Sequence, residues 1–109
     1  MRLLNNNKLI ASSVKVANSY ITRLVGLLDR KNIDENEGLL LIRCSSIHCF
    51  FMRFTIDTVY LSKDMEVLYK ETIKPWKIGK FVKNTYNILE LKEGKSKEIT
   101  VGDILYFVE

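Results

Sequence analysis

Three polar side chains interrupt the most apolar stretch of this sequence, SSIHCFFMRFTIDTVYL at residues 45–61. His48 can gain or lose a proton near neutral pH, and the guanidinium of Arg53 can hold an anion. Asp57 can orient that guanidinium or act, like His48, as an acid or base. Together with Met52, which adjoins Arg53, these residues form the ligand-binding site predicted from the sequence.

The spacing of Arg53 and Asp57 favours a corner over a continuous strand. In one strand the two residues would share a face but stand roughly 13 Å apart, which is too far for an ion pair. A tight turn at residues 54–56 would bring them into contact. We therefore interpret residues 49–52 and 58–61 as two strands joined by a corner. At this corner Arg53 and Asp57 either brace the chain by an ion pair or present the guanidinium to an anionic ligand.

The two cysteines and the single histidine could form a metal site, but their number and spacing argue against one. Cys44, His48 and Cys49 suit zinc, yet a structural zinc site takes four ligands and the chain has no further cysteine or histidine. Adjacent His48 and Cys49 would also point to opposite faces of a strand, which equally disfavours a cysteine nucleophile. We expect no metal and no cofactor. The common nucleotide-binding and hydrolase signatures are absent too, which favours a non-catalytic protein over an enzyme.

A second group of candidate residues is basic. The segment KPWKIGKFVK carries lysines at every third position and no acidic residue, in a chain of formal net charge +4. Such a segment attracts anions, although a solvated loop is the simpler interpretation. Trp76 could stack on a base, but lysines on one loop without a stacking platform place nucleic-acid binding last among our hypotheses. The anion-binding candidates are Lys74, Lys77, Lys80 and Lys83.

Glu90 also falls inside an apolar strand pattern, NILEL. It either projects outward from an exposed sheet face or is a partly buried acid near a pocket. The alternation of the segment favours the outward position.

The elements that position these residues are mostly strands. Short apolar or alternating runs predict five to seven strands, including one at residues 9–16, where the serines offer a point of interruption, one at 38–42 and a hairpin across 57–73. Two further strands are predicted at residues 85–94 and after the Gly102–Asp103 turn. One helix is predicted to begin after Ser19, because Ile21, Leu24, Val25 and Leu28 follow helical spacing. The fold class is α+β: a curled, mostly antiparallel sheet or small barrel with one packed helix.

Length and composition are typical of one globular domain, residues 1–109, with 47% hydrophobic and 28% charged residues. No segment approaches the roughly 20 apolar residues of a membrane helix, so we expect no membrane partner. The first residues, MRLLNNNKLIASS, lack the sustained apolar stretch of a secretory signal. With only two cysteines, the protein is predicted to be cytoplasmic.

Several motifs recur together in the order and spacing of a known family. The segments TRLVGLLDRK, EGLLL, SIHCFFMRFTIDTVYL, ILEL and VGDIL resemble domain of unknown function 192, a group of small bacterial and archaeal proteins, over about Thr22 to Phe107. The residues that match its patterns are Gly26, Leu27, Leu28 and Arg30 in the first segment, and Phe51, Met52, Arg53, Ile56 and Asp57 in the centre. Many members carry tryptophan in place of Phe51. The resemblance implies a compact β-rich domain with a packed helix, and it implies no activity.

These observations support three hypotheses. The first is a non-catalytic binding or accessory module, whose polar site at the central strand-turn-strand receives an anionic small molecule or a protein segment. The second is an unrecognised enzyme that uses His48 or Asp57 as acid or base and Arg53 to hold an anion. The third is weak nucleic-acid binding through the lysine segment.

Overall fold

The computed structural model describes residues 1–17, 32–45 and 53–109. Within these residues the chain forms two β-sheets and one short 3₁₀ helix, Lys95–Glu98. The helix predicted to begin after Ser19 lies outside the described residues and stays a prediction. The strands are β1 Arg2–Asn5, β2 Lys8–Ala11, β3 Ser13–Ala17, β4 Glu37–Ile42, β5 Ile56–Leu61, β6 Val67–Ile73, β7 Asn87–Lys92 and β8 Tyr106–Val108.

The larger sheet has five strands in the order β3-β4-β7-β5-β6, and the smaller has three in the order β2-β1-β8. All pairs are antiparallel except β3 with β4. Asn6 and Asn7, at φ 52° and 65°, form the tight turn between β1 and β2, in the left-handed conformation that asparagine tolerates. The single strand predicted at residues 9–16 is two strands in different sheets, with β2 ending at Ala11 and β3 beginning at Ser13, so the chain is interrupted at the serines.

The central hairpin has the predicted antiparallel form. β5 pairs with β6 from Ile56 opposite Ile73 to Leu61 opposite Val67, with an irregularity at the turn end. Ser62 closes the turn, because its hydroxyl accepts hydrogen bonds from the backbone N–H groups of Asp64 and Glu66. Residues 53–55 precede β5, so Asp57 belongs to the strand rather than to a corner.

The five-stranded sheet is buried on both faces. One face joins residues of both sheets in a first core cluster, and the other carries a second core cluster; strand residues alternate between the two. On β5, for example, Val59 belongs to the first cluster and Tyr60 to the second. The first cluster contains Leu3, Ile10, Ala11, Val14, Leu40, Val59, Leu61, Val67, Leu89, Leu91, Ile99 and Leu105, and the second Ala17, Ile33, Leu39, Leu41, Ile56, Tyr60, Ile73 and Ile88.

The β-rich part of the fold prediction is confirmed, but the small barrel is wrong for the described part of the chain. A barrel needs an uninterrupted ring of paired strands, whereas here two sheets stack face to face and keep separate edges. A bend at Ser12 carries the chain from one sheet to the other, where Met1 and Val14 exchange two hydrogen bonds of 2.7 and 3.0 Å.

Over residues 1–17, 32–45 and 53–109, no helix has the length and apolar character needed to cross a membrane.

Candidate functional site

Of the four predicted ligand-binding residues the structure describes two, Arg53 and Asp57, and it does not bring these two together. His48 and Met52 lie outside the described residues. Arg53 is exposed ahead of β5, while Asp57 is 1% exposed on that strand. Among the residues that the structure describes, no ion pair joins Arg53 to Asp57, so the predicted brace is wrong. The reason is that β5 already begins at Ile56, and the Asp57 side chain turns toward the 3₁₀ helix instead.

Asp57 holds the 3₁₀ helix against the sheet. Its Oδ2 accepts hydrogen bonds from the backbone N–H groups of Gly94 and Ser96, at 3.0 and 2.9 Å, and from the Ser96 hydroxyl at 2.6 Å. Its Oδ1 accepts from the Thr72 hydroxyl at 2.8 Å. Four donors use most of the accepting capacity of this carboxylate, which leaves little for an acid, a base or a ligand.

Lys70 on β6 also binds the 3₁₀ helix and the residue that follows it. Its Nζ donates to the backbone carbonyls of Ser96 and Ile99, at 2.8 and 2.5 Å. Lys8 and Lys95 pair with Glu98 at 3.0 and 3.2 Å, and their hydrogen bonds lower the pKa of Glu98. These contacts make the region around Asp57 a structural junction.

A different polar group lies on the other face of the sheet. Glu90 on β7 stands directly opposite Thr58 on β5, and Thr58 stands directly opposite Glu71 on β6. The three side chains therefore form a row across three adjacent strands, which we call the polar row. With strands about 4.8 Å apart, its two carboxyl-bearing residues are roughly 10 Å apart at the backbone.

Glu90 is buried, so the predicted outward position is wrong. Only 6% of its surface is exposed, because the face that would be solvated in an ordinary antiparallel sheet carries the second core cluster here. Burial raises the pKa of Glu90 to about 8. Its carboxyl group is therefore largely protonated at neutral pH, and within the described chain it makes no hydrogen bond.

Apolar side chains border the polar row on both sides. Ile88 and Tyr60, which face each other across β7 and β5, lie on one side. Ile56 and Ile73, which face each other across β5 and β6, lie on the other. At the β4 end, Leu39 is opposite Glu90. The row is thus a narrow polar band in an apolar face, which makes its hydrogen bonds strong when formed and costly when missing.

Glu71 differs from Glu90 because it has partners. Its Oε2 accepts hydrogen bonds from the Tyr60 hydroxyl at 2.6 Å and from the backbone N–H of Lys80 at 2.7 Å. Burial raises the pKa of Tyr60, and the hydrogen bond to Glu71 raises it further. The Tyr60 hydroxyl therefore remains a donor at physiological pH. Thr58 donates to the Glu71 carbonyl at 3.0 Å, which leaves the Thr58 oxygen able to accept. At one end of the row, Glu71 already accepts hydrogen bonds. At the other end, the carboxyl of Glu90 makes none within the described chain.

The predicted anion-binding lysines lie beyond the Glu71 end of the row. All four are exposed on the segment between β6 and β7. Lys80 also places its Nζ 4.9 Å from the centre of the Tyr69 ring, in a cation–π contact. The lysines adjoin the polar row and are turned to solvent.

The 3₁₀ helix also borders a shallow surface cleft of about 280 Å³. Acidic and basic side chains line it in equal number, so it favours no sign of ligand charge. The lining residues are Glu35, Lys92, Glu93, Gly94, Lys95, Lys97 and Glu98.

Sequence reasoning missed Thr58 and Glu71 as site residues because neither shares a motif with Glu90. Cross-strand register alone makes them neighbours. One signal could have identified the burial of Glu90: leucine and isoleucine stand on both faces of NILEL, as in strands that are covered on both sides.

Comparison with known proteins identifies the family of this chain and several relatives. The DUF192 family, described as "Uncharacterized ACR", matches residues 2–107. A UPF0127 protein of Pyrococcus furiosus is 30% identical over 103 residues, covering 90% of this chain and 89% of that protein. One from Pyrococcus horikoshii is 35% identical over 68 residues, covering 60% of this chain, and the match spans 59% of that protein's length.

A solved structure has the same fold. A protein of unknown function from Novosphingobium aromaticivorans superposes with a TM-score of 0.84 at 16% identity, covering 97% of this chain and 82% of that one. At this identity the likeness concerns the fold alone.

Proposed function

Because this chain belongs to the DUF192 family, whose function is uncharacterised, we propose a function from the chain's own geometry. We propose a non-catalytic binding module that holds a small molecule at the polar row of Glu90, Thr58 and Glu71. The observation that carries the proposal is the Glu90 side chain, which is 6% exposed, has its pKa raised to about 8 by burial, and makes no hydrogen bond in the described chain. A buried polar group in this state costs free energy, and a ligand that completes its hydrogen bonds recovers that cost.

The chemistry of the row favours a ligand rich in hydrogen-bond donors. Two carboxyl groups and a threonine hydroxyl offer mainly acceptors, which suit hydroxyl or amino groups on a compact ligand with an apolar side. The anionic ligand expected from Arg53 and Asp57 has less support, because Asp57 is occupied by the 3₁₀ helix. A polyol and a primary amine are the two ligand classes that remain.

Thermal-shift measurement against a panel of polyols, amino sugars and small amines tests the proposal. We expect at least one compound to raise the Tm of the wild type, and Glu90→Gln and Thr58→Val to reduce that rise. Glu66→Gln is the matched control, since Glu66 is exposed and lies just before β6, five residues from Glu71, and it should keep the full response. A compound that stabilises the wild type and Glu90→Gln equally would show that the row is not the site.

Calorimetry in two buffers of different ionisation enthalpy separates the two ligand classes. A cationic amine favours the charged carboxylate, so its binding at pH 7 releases the Glu90 proton to the buffer. A polyol leaves the proton in place. Equal heats in both buffers therefore indicate a neutral ligand, and unequal heats indicate an amine.

A second candidate is acid–base catalysis through Glu90, in place of the His48 or Asp57 role expected from the sequence. Its support is the Glu90 pKa of about 8. A general acid is most effective when its pKa lies near the pH at which the enzyme works. Mass spectrometry of any stabilising compound after incubation distinguishes the two candidates. A bound compound recovered unchanged supports the binding module, and a Glu90-dependent product supports the enzyme.

We also propose that the chain acts as a single domain in the cytoplasm. Its two cysteines are too few for a disulfide framework and suit a reducing compartment. Alkylation of both thiols in intact cells, without prior reduction, would support this placement, and protection of both thiols would argue against it.

A further inference from the structure

The segment between β6 and β7, residues 74–86, displays large apolar side chains to solvent. Trp76 is 60% exposed, and Ile78 and Phe81 are each 71% exposed. We call this segment the apolar-basic loop. Single exposed apolar residues are ordinary on protein surfaces, but three within six residues form a patch that points to an interaction.

The apolar-basic loop is anchored, so these side chains are held outward by a fixed frame. The backbone N–H of Lys80 donates to Glu71 at 2.7 Å, and that of Tyr86 donates to the Leu61 carbonyl at 2.9 Å. Between them, Val82 packs against the second core cluster. Although the loop is fixed at three points, Trp76, Ile78 and Phe81 stay exposed while Val82 is partly buried.

Trp76 occupies a backbone position that normally favours glycine. It has φ 67° in the turn that follows Pro75, and the backbone N–H of Lys77 closes this turn by donating to Lys74 at 3.2 Å. The left-handed conformation costs a bulky residue roughly 1 kcal/mol or more relative to glycine. A bulky aromatic residue thus occupies a left-handed position while 60% of its surface stays exposed to solvent.

The charge of the loop identifies the kind of partner. Its sequence, KPWKIGKFVKNTY, contains four lysines and no acidic residue. All four lysines are exposed, and Lys80 also lies over the Tyr69 ring. The partner must therefore offer an apolar layer bordered by negative charge.

We propose that the apolar-basic loop docks onto the surface of an anionic lipid bilayer. Trp76, Ile78 and Phe81 enter the boundary between headgroups and acyl chains, and the lysines contact lipid phosphates. Tryptophan suits this boundary because its ring is apolar with one polar edge. A single-stranded nucleic acid fits less well, because Ile78 offers no stacking surface. The sequence-based expectation of no membrane partner rested on the lack of a spanning segment, which does not bear on surface docking.

The test uses co-sedimentation of the full chain with vesicles of phosphatidylcholine alone or mixed with phosphatidylglycerol. We expect binding only to the mixed vesicles, weakening as salt rises. Trp76 is the only tryptophan, so a blue shift of its fluorescence reports its own transfer out of water. Ile78→Ser combined with Phe81→Ser should weaken binding tenfold or more, because the variant loses most of the apolar area that would leave water on docking. Each of Lys74→Gln and Lys77→Gln should weaken binding about fivefold.

The matched control is Val101→Ser combined with Tyr106→Ser, which removes two exposed apolar residues outside the loop, 54% and 61% exposed. This variant should bind mixed vesicles as the wild type does. The proposal is overturned by no binding at low salt, by equal binding to both vesicle types, or by a blue shift produced by single-stranded oligonucleotides or self-association and not by vesicles. The Ile78 and Phe81 variant leaves the polar row intact, so its Glu90-dependent ligand response separates failure of this proposal from failure of the binding module.

Discussion

The side chain of Asp57 accepts two hydrogen bonds from a single residue, Ser96, which is thirty-nine positions along the chain. One comes from the Ser96 backbone N–H at 2.9 Å and the other from its hydroxyl at 2.6 Å. Hydrogen bonds to a charged acceptor are stronger than neutral ones, and this pair is fully buried. The contact joins the first residues after β7 to the start of β5.

Asp57→Ala should lower the free energy of unfolding by about 3 kcal/mol, because it leaves the buried donors of Ser96 without a partner. Asp57→Asn keeps an acceptor oxygen and should cost about 1 kcal/mol. Urea unfolding followed by circular dichroism measures both. Asp64→Ala, an exposed site in the β5–β6 turn, should change stability by less than about 0.5 kcal/mol. Equal stability of Asp57→Ala and Asp64→Ala would contradict a structural role for Asp57.

Glu90 should make stability fall as the pH rises. Its pKa is about 8 in the folded protein and 4.5 as the reference value, so the folded state holds a proton that the unfolded state has lost between these pH values. Its stabilising contribution is complete below pH 4.5 and is lost as the pH rises towards 8, by up to about 1.4 kcal/mol per pH unit. Urea unfolding from pH 4.5 to 9 measures the slope.

Glu90→Gln removes this titration and serves as the reference curve. We expect the variant to gain stability over the wild type steadily as the pH increases, with the largest difference above pH 8. Glu66→Gln changes an exposed carboxylate on the same domain and should give a curve parallel to the wild type. Parallel curves for the wild type and Glu90→Gln would show that Glu90 has an ordinary pKa in the folded protein.

Tyr60→Phe should cost about 1 to 2 kcal/mol, because Glu71 then loses its charge-assisted hydrogen bond of 2.6 Å from the Tyr60 hydroxyl. Tyr69→Phe is a close control. The two rings lie 5.7 Å apart, and the Tyr69 hydroxyl makes no hydrogen bond within residues 1–17, 32–45 and 53–109. We expect Tyr69→Phe to change stability by less than about 0.5 kcal/mol, as measured by thermal unfolding. A larger loss of stability in Tyr69→Phe than in Tyr60→Phe would contradict the role given to the Tyr60 hydroxyl.

Gly38 lies where β4 meets side chains from both of its neighbours. A Cβ at this position would lie 3.1 Å from Leu91 Cδ2 and 3.3 Å from Val14 Cγ2. Because both side chains are buried in the first core cluster, Gly38→Ala should cost about 1 to 2 kcal/mol through overpacking. Lys15→Ala on the exposed side of β3 is the control for a change beside the same strand pair. Thermal unfolding that leaves Gly38→Ala as stable as Lys15→Ala would show that the neighbours move aside freely.

The sequence by itself determined several of the strands and one hairpin. Alternation and turn residues act over a few positions, so the β5–β6 hairpin, the break at Ser12 and the strand at Glu37–Ile42 could all be predicted. The same local reasoning singled out Asp57 and Glu90 as unusual among apolar neighbours. It could not assign their roles, because a local pattern does not say what packs on each face of a strand.

Only the tertiary structure decided which polar residues meet. Glu90, Thr58 and Glu71 belong to three strands, and their row depends on pairing β7 with β5 and β5 with β6, which no local signal specifies. The pKa of Glu90 is raised because both faces of the sheet are buried. Within the described residues, Asp57 accepts hydrogen bonds from Ser96, and forms no ion pair with Arg53, because the 3₁₀ helix packs against the start of β5. Strand formation follows short-range periodicity, whereas the site follows register and packing between segments far apart in the chain.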